Sequence, residues 1–120
     1  MTKITKITHK GKTIFLADHR GTQDDEVIAN QEKLLEMIKG EKTTDALTLT
    51  DMTEVFATRK VHTELSRIGK ELMSHSKKAA IVGMASGAKK ILIGTFIDLT
   101  RQPMKLFDNV EDAKDWLVKD

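Results

Sequence analysis

The period of apolar positions changes repeatedly along the chain, and each change marks an element. Ile4 and Ile7, spaced by polar residues, form a short strand, and Lys10-Gly11-Lys12 separates it from the stronger Thr13-Ile14-Phe15-Leu16-Ala17. Two such runs around a glycine turn predict a hairpin. After Asp18-His19-Arg20-Gly21, Thr22 is placed to cap a helix with Asp24, Asp25 and Glu26 in its first turn. Carboxylates there complement the positive end of the helix dipole. Val27, Gln31, Leu34, Leu35 and Ile38 share one face of that helix, and Gly40 is its expected stop. Ala46-Leu47-Thr48-Leu49-Thr50 alternates as a half-buried strand does.

Thr58 is the expected cap of a second helix, whose Val61, Leu65, Ile68 and Leu72 recur at the period of one buried stripe. Ala79-Ala80-Ile81-Val82-Gly83-Met84 reads as an interior strand. Ser86-Gly87 opens a third helical pattern through Ala88, Ile91, Leu92, Thr95, Phe96 and Leu99, with Ile93 and Ile97 apolar outside its stripe. Pro103 excludes helix and precedes the strand Met104-Lys105-Leu106-Phe107. Asn109 with Asp112 then makes a capping arrangement for a last helix bearing Val110, Ala113, Trp116 and Leu117. The order ββαβαβαβα predicts a single α/β domain over residues 1–120, an open, mostly parallel five-stranded sheet with an antiparallel first strand.

At 120 residues the chain is long enough for one core. Its 20 Lys+Arg and 18 Asp+Glu are interspersed, so no concentrated positive field awaits a phosphate backbone, and 4% aromatics supply few stacking platforms. Nucleic acid is therefore not an expected partner. Without cysteine there is no disulfide, thiolate metal site or cysteine nucleophile. His9, His19, His62 and His75 lack the spacing of metal ligands, so neither metal nor cofactor is expected. No apolar run approaches the roughly 20 residues of a membrane span, and no leader pattern opens the chain, which predicts a cytoplasmic location.

In an open parallel sheet ligands meet the carboxyl ends of the strands. Asp18 and Asp51 end neighbouring strands there, with Arg20 and Thr53 beside them and His19 in the connecting loop. The plainer reading is that Asp ends strands because it bonds the backbone amides that follow, and that a loop histidine is solvated. Ser86 and Lys89 stand where a third helix would offer free amides, although Gly83-Met84-Ala85-Ser86-Gly87-Ala88-Lys89-Lys90 lacks the spacing of a Walker loop. No nucleophile and base are paired, so an enzyme is not expected. Sequential right-handed crossovers gather the helices on one side of the sheet. Phe15, Ile93 and Ile97 then contribute apolar surface for a homodimer contact or a shallow groove, unless the last helix and the chain ends cover it.

Taken together, Lys10-Gly11-Lys12, Asp18-His19-Arg20-Gly21, Leu47-Thr48-Leu49-Thr50-Asp51-Met52-Thr53, Lys77 through Gly83, and Leu106-Phe107-Asp108 followed by Ala113 and Trp116-Leu117 resemble the bacterial SpoIIAA-like proteins. Those belong with the STAS superfamily of anti-sigma-factor antagonists and are distantly related in fold to lipid-binding CRAL-TRIO domains. The resemblance implies a SpoIIAA-like fold and a non-catalytic interaction or regulatory module, of unknown pathway, with a protein partner or a second copy. It also allows a small apolar ligand or lipid as the alternative. In the antagonists a hydroxyl residue of an Asp-Ser-Ser-Gly phrase is phosphorylated by a partner kinase. The phrase here is Asp51-Met52-Thr53-Glu54, which makes Thr53 the implied acceptor, with Met and Glu replacing the first Ser and the Gly.

Overall fold

The computed structural model describes residues 4–22, 24–53, 55, 58–83 and 104–119. The expected third helix, with Ser86, Lys89, Ile93 and Ile97, lies outside the described residues. Five strands, β1 (Ile4–His9), β2 (Lys12–Asp18), β3 (Ala46–Asp51), β4 (Ser76–Val82) and β5 (Met104–Phe107), form one sheet in sequential order. β1 runs antiparallel to β2, and every other pair is parallel. The helices are α1 (Asp24–Gly40), α2 (Arg59–Met73) and α3 (Val110–Val118).

Local chemistry explains most boundaries. His9 pairs with Lys12, leaving Lys10 and Gly11 as a two-residue turn, both with positive φ (49° and 82°). That is the backbone a hairpin turn matched to strand twist requires. Thr58 Oγ1 accepts the Val61 amide at 3.2 Å and Asn109 Oδ1 accepts the Asp112 amide at 2.8 Å, so both expected caps form. The start of α1 differs. The helix begins at Asp24, and the Thr22 hydroxyl instead donates to the His19 carbonyl at 2.7 Å. Its end falls at Gly40 as expected, although the left-handed position is taken by Lys42 (φ 54°) and not by the glycine.

Two helices cover one face of the sheet and the third covers the other. Phe15, Ala17 and Ala79 pack with Leu34 and Ile38 of α1 and Ile68 and Leu72 of α2. Ile14, Leu47, Leu49, Ala80 and Val82 pack with Ala113, Leu117 and Val118 of α3. The expectation of a poorly covered face carrying Phe15 is therefore corrected. Phe15 is 5% exposed and belongs to the α1 and α2 core, and α3 lies over the opposite face. For the same reason β3, the middle strand, is buried on both sides along its whole length rather than half-buried. Lysines of the sheet hold the end of α3. Lys12 Nζ donates to the Val118 carbonyl at 3.0 Å, and Lys78 Nζ to the Trp116 and Lys119 carbonyls at 2.9 and 2.6 Å. The last carbonyls of a helix lack intrahelical donors, and a cation there also meets the negative end of the dipole. Among the described residues no helix is long and apolar enough to cross a membrane.

Candidate functional site

The parallel register of β2 and β3 sets Asp18 directly opposite Asp51, so two carboxylates reach the same rim of the sheet. Beyond the strands the pairing continues: the His19 amide donates to the Asp51 carbonyl at 3.0 Å, and the Met52 amide to the Val82 carbonyl at 2.8 Å. The rim is thus built on the rigid ends of three adjacent strands.

Arg20 turns back onto Asp18. Its Nε donates to Oδ1 at 2.9 Å and its Nη2 to Oδ2 at 2.8 Å, while its own amide donates to Oδ1 at 3.0 Å. A planar guanidinium that engages both oxygens of a carboxylate has fixed geometry as well as charge. Nε also lies 3.6 Å from Asp51 Oδ2, so one cation bridges both carboxylates. The side chain of Asp51 is 7% exposed, that of Arg20 61%. The other Asp51 oxygen, Oδ1, accepts the Thr53 amide at 3.0 Å and the Thr53 hydroxyl at 2.6 Å. Asp18, Arg20, Asp51 and Thr53 therefore form one connected chain. The turn chemistry that makes Asp a common strand end is present as well, since each carboxylate bonds an amide two residues on.

Gly83, at the end of β4, closes the far side of Thr53. It has φ +90°, and a Cβ there would stand 2.3 Å from the Thr53 nitrogen and 2.7 Å from its hydroxyl oxygen. Only glycine allows both that backbone and that approach.

His19 departs furthest from expectation. It is a solvent-facing loop residue on the plainer sequence reading, yet it is fully buried. Its Nε2 lies 2.7 Å from Gln31 Oε1, and Nδ1 has no hydrogen-bond partner among the described residues. Burial pushes its pKa below the ordinary 6.5; the Gln31 hydrogen bond and the charges of Asp18 and Asp51 push back but do not prevail. Gln31 is itself 7% exposed, and its place on the apolar face of α1 was the sequence signal that a buried polar partner was needed. Asp18, His19, Arg20, Asp51 and Thr53 thus converge on one edge, joined by Gln31 and Gly83, while Phe15 belongs to the core.

A five-stranded sheet, parallel but for its first strand, with helices on both faces and acidic residues closing adjacent strands, defines an open α/β fold. The crystal structure of an uncharacterised protein of the DUF3478 family, with a SpoIIAA-like fold, from Shewanella loihica PV-4, is similar to this chain at a TM-score of 0.63. The match covers 95% of this chain and 91% of that one at 18% identity, so the fold is SpoIIAA-like, and the likeness concerns the fold alone. No family model matches the sequence, and no curated protein matches it.

Proposed function

We propose that the protein is a non-catalytic regulatory module that binds a protein partner through the rim of Asp18, Arg20, Asp51 and Thr53, with Thr53 as its switch. The observation that carries this reading is the 2.6 Å bond from the Thr53 hydroxyl to Asp51, whose other oxygen faces Arg20. A phosphoryl group on that hydroxyl removes the donated proton and adds a charge of about −1.5 to −2 beside two carboxylates. Asp51 is largely shielded from water, so the repulsion is weakly screened, and Arg20 is drawn from Asp18 toward the new charge. One modification thus rewrites the charge pattern that a partner meets. The non-catalytic part of the reading is supported by the engagement of both carboxylates and by His19 being turned to Gln31 inside the fold.

The test is incubation of the protein with cell lysate and ATP, followed by mapping of phosphate by mass spectrometry. Modification at Thr53 that is absent from Thr53→Ala is the expected result; phosphate elsewhere only, or none, removes the switch. The alternative of a small apolar ligand drew on the apolar third helical pattern and on a bare sheet face; helices cover both faces, so the second support is gone, and the first lies outside the described residues. A hydrophobic molecule retained in native mass spectrometry would restore it.

A further inference from the structure

Among the described residues of the loop that joins β2 to α1, His19 carries a side-chain hydrogen bond to the helix. The ring is fully buried, bonded through Nε2 to Gln31 of α1, and bare at Nδ1 among the described residues. Its backbone is fastened as well: the amide donates to Asp51 of β3, and the carbonyl accepts both the amide and the hydroxyl of Thr22. We infer that the His19–Gln31 pair is an acid-sensitive latch, which holds residues 19–22 closed over the sheet rim while the ring is neutral and releases them when Nδ1 takes up a proton.

With Gln31 Oε1 as partner, Nε2 carries the neutral ring's hydrogen and Nδ1 is the lone pair. Protonation converts Nδ1 into a charged donor with no acceptor among the described residues, and a buried charge without a partner is far costlier than a buried lone pair. The charged groups that face the ring are Asp18 at the end of β2 and Asp51 at the end of β3, which favour the proton. Arg20 is paired with both carboxylates, and among the described residues of α1 the ring's hydrogen-bond partner is the neutral Gln31. Desolvation outweighs the carboxylates, so the closed loop holds its proton less tightly than an open one. The sign follows: the closed form is fully favoured above pH 6.5 and loses ground as pH falls through that value toward the lower value of the closed ring. Opening moves the Asp18–Arg20 pair and uncovers the Asp51 carbonyl. The rim would then respond to acid as well as to modification, and the latch does not depend on Thr53 being phosphorylated.

The test is an NMR titration of the wild-type protein with labelled histidine, alongside hydrogen exchange of the amides of residues 19–22, corrected for the intrinsic pH dependence of exchange. The His19 ring is expected to titrate below 6.5. Between the two pKa values, protection of those amides is expected to fall by up to about tenfold per pH unit, while β3 amides keep theirs. A ring that titrates at or above the ordinary value, or loop protection indifferent to pH, overturns the latch. His19→Gln supplies a second reading: its loop protection is expected to be flat over the same range. If that variant does not fold, the wild-type titration decides alone.

Discussion

Thr53 and Asp51 are joined twice, because Asp51 Oδ1 accepts both the amide and the hydroxyl of Thr53, at 3.0 and 2.6 Å. Thr53→Val keeps the shape and the amide bond but withdraws the hydroxyl from a shielded carboxylate. A charge-assisted bond lost at such a site costs about 1–3 kcal/mol. Chemical denaturation at neutral pH is expected to show a loss in that range, with an unchanged m-value; an unaltered midpoint would mean that the bond contributes nothing to the folded rim.

Gly83 ties the same threonine to β4. Gly83→Ala meets both a positive φ and a backbone nitrogen 2.3 Å away, which cannot move as a side chain would. Strain of this backbone alone is of order 1–3 kcal/mol, and the clash adds to it. Thermal unfolding should show a marked drop for Gly83→Ala against wild type and a smaller one when the same change is made in Thr53→Gly and measured against Thr53→Gly alone, where the neighbouring backbone is freer to shift. Equal drops would place the cost outside the Thr53 contact.

Lys78 joins the sheet to the end of α3 through two carbonyls, with its ammonium 5.0 Å from the centre of the Trp116 ring. Lys78→Met retains the stem and removes the cation. The expected loss is about 1–2 kcal/mol, from two hydrogen bonds and a partly buried cation–π contact. Hydrogen exchange should quicken in α3 before it does in α1; uniform quickening would argue that Lys78 acts on the whole core.

On the same helix, Asp115 receives His9 Nε2 at 2.8 Å and Lys10 Nζ at 3.2 Å. The His9 hydrogen bond first, and then that of Lys10, hold the carboxyl below its usual 3.8. A depressed folded-state pKa adds stability above the unfolded value, and this is lost as pH falls through the folded one. The site is open to water, so the effect on stability is small. Carboxyl NMR titration should show Asp115 returning toward 3.8 in His9→Gln; no movement would assign the shift elsewhere.

Much of the fold could be read from local chemistry. The caps Thr58 and Asn109, the Lys10-Gly11 turn and the stripe Val61, Ile68, Leu72 each depend on residues within a few positions of one another. Asp18 and Asp51 could be brought to one rim because crossovers make neighbours parallel. Three features depend on distant residues and could not. The side of the sheet that a C-terminal helix covers is decided by tertiary packing, so the burial of Phe15 among α1 and α2 was missed, and cover of a sheet face by the last helix stood only as an alternative. Gly83 fits against Thr53 across two strands, where a turn residue would need glycine for its own backbone alone. The burial of His19 rests on Gln31, twelve positions along and on another element, and only the glutamine within an apolar stripe hinted at it.

The most direct measurement compares partner recovery by wild type, Arg20→Ala, Thr53→Glu and, as a control on exposed β4 surface, Lys77→Ala. A rim that binds a partner predicts one protein held by wild type and by Lys77→Ala and weakened by about tenfold or more, roughly 1.4 kcal/mol, in Arg20→Ala and Thr53→Glu. Equal recovery by all four folded proteins would contradict the assignment of this rim as the regulated binding surface.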